Sequence, residues 1–137
     1  MKRTHIYPLI TIIVFITLYL FIHRPKIEWQ NYSDTILQYY LSQDRTVMVY
    51  FTAESCMACQ INEKMFNESI DIPRTLNRNN IKALYADLGQ PGMEDVLKRL
   101  GHTAVPILVI FHKLEEPIIF TDVLNEKELV KFLKTLK

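Results

Sequence analysis

One stretch of this chain allows few architectures. Val47-Met48-Val49-Tyr50-Phe51-Thr52 shows no polar alternation, so a strand there must be covered on both faces. Shortly after it comes Cys56-Met57-Ala58-Cys59, which holds the only two cysteines of the chain. A buried strand that feeds a helix beginning at a Cys-x-x-Cys is the arrangement of a reactive dithiol. The thiolate is the nucleophile of disulfide exchange, and a helix N-terminus favours it through unpaired N–H groups and positive dipole density.

Other uses of two cysteines fit less well. A disulfide between residues three apart closes a loop too small to constrain the unfolded chain. A disulfide-stapled secreted scaffold needs distant pairs, and a four-cysteine zinc site needs a second pair. Three readings remain: a redox dithiol, half of a metal site completed by His or Met, and two inert core thiols. For the second, His102, His112, Met57 and Met93 are the soft-ligand candidates; surface and core packing is their ordinary explanation. The net charge of +1 suggests no nucleic acid or acidic polymer as partner. Three glycines and the lack of any low-complexity stretch speak for an ordered chain of 137 residues, one domain plus an N-terminal extra.

That extra is a run of 17 uncharged residues, Ile6 to Ile22, near the lower limit of about 17–25 for a membrane span. Lys2 and Arg3 precede it, and Arg24 and Lys26 follow. A cleaved signal peptide would have a shorter apolar core and small residues at its end, whereas this run ends Tyr19-Leu20-Phe21-Ile22-His23-Arg24. The expectation is therefore an uncleaved single-pass signal anchor, with a cleaved signal and a buried core helix as alternatives. The flanking charge places the N-terminus inside, and in a bacterium this puts the main domain in the periplasm or outside the cell. Tyr7, Tyr19 and Trp29 are candidate interfacial aromatics; for Trp29 the alternative is packing against the first domain helix. The expected division is 1–26 for anchor and linker and 27–137 for the folded domain, with residues 23–31 read as linker.

Within the domain, helical spacing of Ile36, Leu37, Tyr40 and Leu41 predicts a helix over 33–41, capped by Ser33 or Asn31. The strand 47–52 follows, then a helix from Cys56 through Phe66, broken at Asn67-Glu68-Ser69, and a further helix over 72–79. A strand over 81–86 ends at Asp87. The turn Gln90-Pro91-Gly92 leads to a helix over 93–100 that stops at Gly101. Strands over 107–111 and 118–123 flank a solvated turn at Glu115-Glu116. A last helix begins at Asn125, with Glu128 three residues on in capping-box form. Tyr39 and Tyr40 divide between surface and core. This order leads to an α/β domain, a central mixed sheet with helices on both faces.

Three segments in register resemble the thioredoxin-fold family: 47–59 with its Cys-x-x-Cys, Ala83-Leu84-Tyr85-Ala86-Asp87, and Gly101-His102-Thr103-Ala104-Val105-Pro106-Ile107-Leu108, which is similar to that family's Gly-x-x-x-Ile/Val-Pro signature with its cis proline. The resemblance covers roughly residues 31–137. Cys-x-Ala-Cys followed by Glu63, Lys64 and Phe66 is most similar to the C-terminal domain of DsbD-type transmembrane reductases and to small membrane-anchored periplasmic reductases. It implies that Cys56 attacks a substrate disulfide and that Cys59 resolves the mixed disulfide. It further implies that the Val105 backbone, before Pro106, pairs with a substrate segment lying against the dithiol. Absent the resemblance, Pro106 could simply open a strand. Glu63 matches an acid at this position in the DsbD-type domain. Four residues after Cys59 on one helix face, it is either a half-buried carboxylate that takes the Cys59 proton or a solvated helix glutamate. No cofactor and no metal are implied. The implied partners are protein disulfides as substrates and a membrane electron donor of the DsbD or CcdA type, with the chain itself a monomer.

The departures from the pattern matter. Tyr50 stands where many thioredoxins carry a buried aspartate, and a phenol is a poor base at neutral pH. Proton transfer from Cys59 must then fall to Glu63, to water or to the substrate. Ser55 replaces the usual tryptophan, so one wall of the substrate groove is small. Neither Met57 nor Ala58 offers charge or a strong donor to the thiolate, which favours a reductant over an oxidant. Three classes follow: a membrane-tethered thiol:disulfide oxidoreductase acting outside the cytoplasm, a metal-binding or metal-delivery module, and a non-catalytic thioredoxin-like interaction domain.

Overall fold

The computed structural model describes residues 6–113 and 115–136. Lys2 and Arg3, on which the predicted orientation rests, lie outside the described residues. The elements are α1 (Ile6–Ile22), β1 (Trp29–Asn31), α2 (Asp34–Ser42), β2 (Val47–Thr52), α3 (Met57–Glu68), α4 (Asp71–Arg78), β3 (Lys82–Asp87), α5 (Met93–Arg99), β4 (Ile107–Phe111), β5 (Ile118–Thr121) and α6 (Glu126–Leu133). The strands form one sheet in the order β1-β3-β2-β4-β5. β1 and β2 run parallel to β3, while β4 is antiparallel to both β2 and β5.

β2 lies at the centre and every residue of it is buried. Its side chains alternate between two cores. Met48 and Tyr50 join Ala83, Leu108 and Ile110 beneath Phe66 of α3, Ile72 and Leu76 of α4, and Leu129 and Leu133 of α6. Val47, Val49 and Phe51 join Leu84, Ile107 and Val109 beneath Leu37 of α2 and Val96 and Leu97 of α5. A strand apolar at successive positions serves two helical layers at once. Each fully buried large side chain contributes roughly 1.5–3 kcal/mol of transfer free energy.

Local signals end the elements as expected. The Ser33 side chain accepts from the Ile36 N–H at the start of α2, and Asn125 accepts from the Glu128 N–H at the start of α6. Gly101, with φ +81°, turns the chain in the left-handed region after α5. The break after α3 belongs to Ser69. Its backbone turns extended, its Oγ accepts from the Ile72 N–H at the start of α4, and its hydroxyl donates to Glu126 of α6.

Two expectations need correction. Residues 23–31 are not all linker: Trp29–Asn31 form an edge strand in register with Ala83–Tyr85. Three residues are too few to show a periodicity, and only the partner strand gives them their form. Trp29 accordingly packs edge-on against Phe66 of α3, at 5.4 Å between ring centroids, and against Tyr85, at 6.0 Å. It does not pack on the first domain helix. The last strand also ends at Thr121 rather than 123, because Asp122 takes a left-handed φ of +66°. Tyr39 is exposed and Tyr40 half-buried, with Glu115 and Glu116 exposed beside the turn after β4.

Among the described residues, no helix is long and apolar enough to cross a membrane. α1 comes near that size: its 17 residues, at about 1.5 Å each, reach about 26 Å.

Candidate active site

The β2–α3 junction places the dithiol. The chain leaves β2 at Thr52, turns through a Cys56 N–H to Ala53 carbonyl bond of 3.1 Å, and enters α3 with Cys56 as the residue that caps it. The Cys56 Sγ accepts from the Cys59 N–H at 3.1 Å, so the sulfur occupies the place of a capping oxygen. Thiolate charge at that position meets the helix's unpaired N–H groups. Cys56 and Cys59 are joined as a disulfide across a Cα–Cα distance of 5.2 Å. Cys56 is half-buried and Cys59 fully buried. One sulfur is therefore open to a partner, and the other waits behind it.

The loop before β4 lies against this pair. The Val105–Pro106 peptide is cis, as the resemblance implied, and the Cys56 Sγ lies 3.7 Å from the Val105 carbonyl oxygen. Pro106 is buried and Val105 half-buried. Met57 stands 72% exposed between the cysteines, and Glu54 and Ser55 are exposed at the rim. The small wall expected from Ser55 is thus open surface.

Glu63 is half-buried rather than a solvated helix glutamate. Its Oε1 accepts from the Thr52 hydroxyl at 2.7 Å and from the Tyr85 hydroxyl at 3.1 Å. Tyr50 is fully buried, and its hydroxyl donates to the Cys59 carbonyl at 3.1 Å. Burial above all, with the negative charge of Glu63 adding to it, pushes the Tyr50 phenol up to about 12. It is a neutral donor that steadies the first turn of α3, and no base. Burial and then Glu63 raise the Tyr85 phenol as well.

Three side chains of this region escape a reading of the sequence. Thr52 appears there only as the end of a strand and Tyr85 only as part of a matched segment. Asn62 appears nowhere, yet it is 1% exposed and its amide makes two bonds. Its Nδ2 donates to the Asp122 carbonyl at 3.0 Å and its Oδ1 accepts from the Leu124 N–H at 2.8 Å, tying α3 to the loop before α6. A polar residue on the inner face of a helix was the one available signal. Among the described residues no three of His, Cys, Asp and Glu cluster closely enough to hold a metal ion.

No protein-family model and no curated protein matches the chain. Solved structures do. A thioredoxin from Thermus thermophilus aligns with a TM-score of 0.65 at 20% identity, covering 80% of this chain and 86% of that one. A mutant thioredoxin from Halobacterium salinarum aligns at 0.62 and 18% identity, covering 82% and 92%. The C-terminal domain of DsbD from Neisseria meningitidis, in its oxidised form, aligns at 0.60 and 12% identity, covering 79% and 100%. At these identities the likeness is one of architecture: the domain has the thioredoxin fold.

Proposed function

We propose that this chain is a thiol:disulfide oxidoreductase that reduces protein disulfides outside the cytoplasm. The observation that carries the reading is the graded exposure of one bonded pair. Half-open Cys56 caps a helix beside the Val105–Pro106 loop, with Cys59 buried behind it. In the reduced protein the Cys56 thiolate attacks a substrate disulfide and expels one substrate thiolate. Cys59, losing its proton to Glu63, then attacks Cys56 and releases the second. The Val105 backbone, next to the sulfur, pairs with the substrate segment. An inert or purely interacting domain would have no use for a sulfur left accessible at a helix cap.

The direction follows from what surrounds Cys56. Met57 and Ala58 supply no charge to stabilise its thiolate, and a less stabilised thiolate makes the dithiol the better reductant. Equilibration with glutathione or dithiothreitol buffers should give a potential nearer the about −270 mV of a reducing thioredoxin than the about −120 mV of a strong oxidant. A value at the oxidising end would reverse the direction of electron flow.

A bacterial inner-membrane location fits α1. All its side chains from Tyr7 to Ile22 are exposed, none is charged, and Phe15 is 72% exposed. Such a surface in water is unfavourable at roughly 25 cal/mol per Å². A bilayer of about 30 Å can thin to meet a span of about 26 Å. The domain, a monomer, would then face the periplasm or exterior and be recharged by a membrane conduit of the DsbD or CcdA type. In cell fractionation the full chain should remain with membranes through carbonate washing. A chain beginning at Lys26 should be released; equal release of both would remove the anchor from the proposal.

A further inference from the structure

We propose that Tyr85 and Thr52 are positioning residues for the dithiol, their hydroxyls fixing the Glu63 carboxylate where it receives the Cys59 proton. This rests on the oxidoreductase reading above. Thr52 is the last residue of β2 and is 1% exposed; Tyr85 comes from the neighbouring β3. The two reach the same oxygen of Glu63, at 2.7 and 3.1 Å. The register partner of Tyr85 on β2 is Tyr50, which binds the Cys59 carbonyl. Hydroxyls from two adjacent strands thus converge on α3 at Cys59 and one turn beyond it.

Glu63 needs this fixing because nothing else supplies it. No Lys, Arg or His ion pair is made to it among the described residues. The titratable groups that face it are Tyr50 and Tyr85, with Asp87 adding negative charge near Tyr85, and Cys59 stands one turn before it on α3. A cation there would offset the field of the carboxylate at the cysteines, whereas neutral hydroxyl donors orient it without bringing a counter-charge. The Tyr85 phenol, raised by burial and by Glu63, stays a donor across the working pH range. Glu63 also lines a cleft of about 190 Å³ with Trp29, Tyr50, Phe66, Asn67 and Tyr85, room for water to carry the proton away.

The step balances. The Cys59 S–H bond breaks and its proton passes to Glu63, then to water in the cleft. A Cys59–Cys56 bond forms as the Cys56–substrate bond breaks. The electron pair leaves on the substrate sulfur, which takes a proton from solvent. The dithiol is oxidised by two electrons and the substrate disulfide reduced by two.

The test is the pH profile of Cys56 alkylation by iodoacetamide in the reduced full chain, for wild type, Glu63→Gln, Tyr85→Phe, Thr52→Val and the double variant E63Q/Y85F. Removing the negative charge in Glu63→Gln should move the midpoint down by about one pH unit. Tyr85→Phe and Thr52→Val should each move it the same way by less, since a loosened carboxylate acts more weakly. In the Glu63→Gln background, Tyr85→Phe should add nothing. A Tyr85→Phe shift that persists undiminished in that background would assign the tyrosine a merely structural role and overturn the proposal. So would a Tyr85→Phe and a Thr52→Val profile that both match wild type. If Tyr85→Phe fails to fold, Thr52→Val carries the comparison, with its own double variant. Alkylation needs no disulfide substrate. Failure of wild type to reduce protein disulfides would therefore sink the function reading separately, leaving the coupling of these side chains to be read on its own.

Discussion

Cys59→Ser is expected to arrest the proposed disulfide exchange at its mixed disulfide. Cys56 keeps its position as the cap of α3 and its half-open sulfur, so attack on a disulfide proceeds. The second sulfur, which lies buried behind it and within bonding reach, is replaced by a hydroxyl that cannot displace a thiolate. A mixed disulfide through Cys56 therefore accumulates. Intact-mass measurement after mixing with a model disulfide should show one adduct per chain, released by dithiothreitol, while catalytic reduction falls to the background of free thiols. Cys56→Ser should form no comparable adduct, because Cys59 is fully buried. Equal adduct formation by both variants would show that the two cysteines are not ordered as attacker and resolver. In cells, the trapped partners of Cys59→Ser would identify the substrates.

Asn62→Ala is expected to lower stability more than any other single polar truncation on α3. The side chain fills a buried position and makes two bonds to the backbone of a distant loop. Truncation removes both bonds, and because Asp122 is exposed and Leu124 half-buried, water can reach the groups left behind, so each bond is worth about 0.5–1.5 kcal/mol. With the lost packing of a buried side chain, a total loss of about 1–3 kcal/mol follows, a sizeable share of the stability of a small domain. Urea unfolding of the oxidised chain should show a lower midpoint with an unchanged slope. Lys64→Ala is the control. Its ion pair with Glu68 spans 3.9 Å between side chains 74% and 69% exposed, and its removal should leave the midpoint where it was. If the two variants unfolded alike, the tie between α3 and the loop before α6 would carry no energy.

Much of the domain is legible from local chemistry. Elements with a strong one-dimensional signal were found where expected: β2 and β4 to the residue, and α2 and α6 from their capping side chains. The cysteine pair was legible for a similar reason, because a fixed spacing along one helix turn sets its geometry, whereas Pro106 was legible only through the family resemblance, since a proline alone could equally open a strand. β1 was not legible, since three residues acquire a strand's form only from β3 beside them. The end of β5 was not either, because the left-handed Asp122 reflects how the chain must turn toward α6. Glu63 illustrates the limit best. Its position on the helix face was readable; whether solvent or hydroxyl groups met it was not.

What the amino-acid order determined alone is therefore the chemistry that acts over a few bonds. It put a dithiol at a helix start, an apolar strand before it and caps at the helix ends, because these depend on nearest-neighbour sterics and hydrogen bonding. Only the tertiary structure decided which groups surround that dithiol. Thr52, Tyr50 and Tyr85 come to α3 from two strands whose parallel register is set by two cores packing at once. Asn62 finds its partners 60 and 62 residues away. Contacts of that range depend on how whole layers settle against one another, and no short window of sequence contains that information.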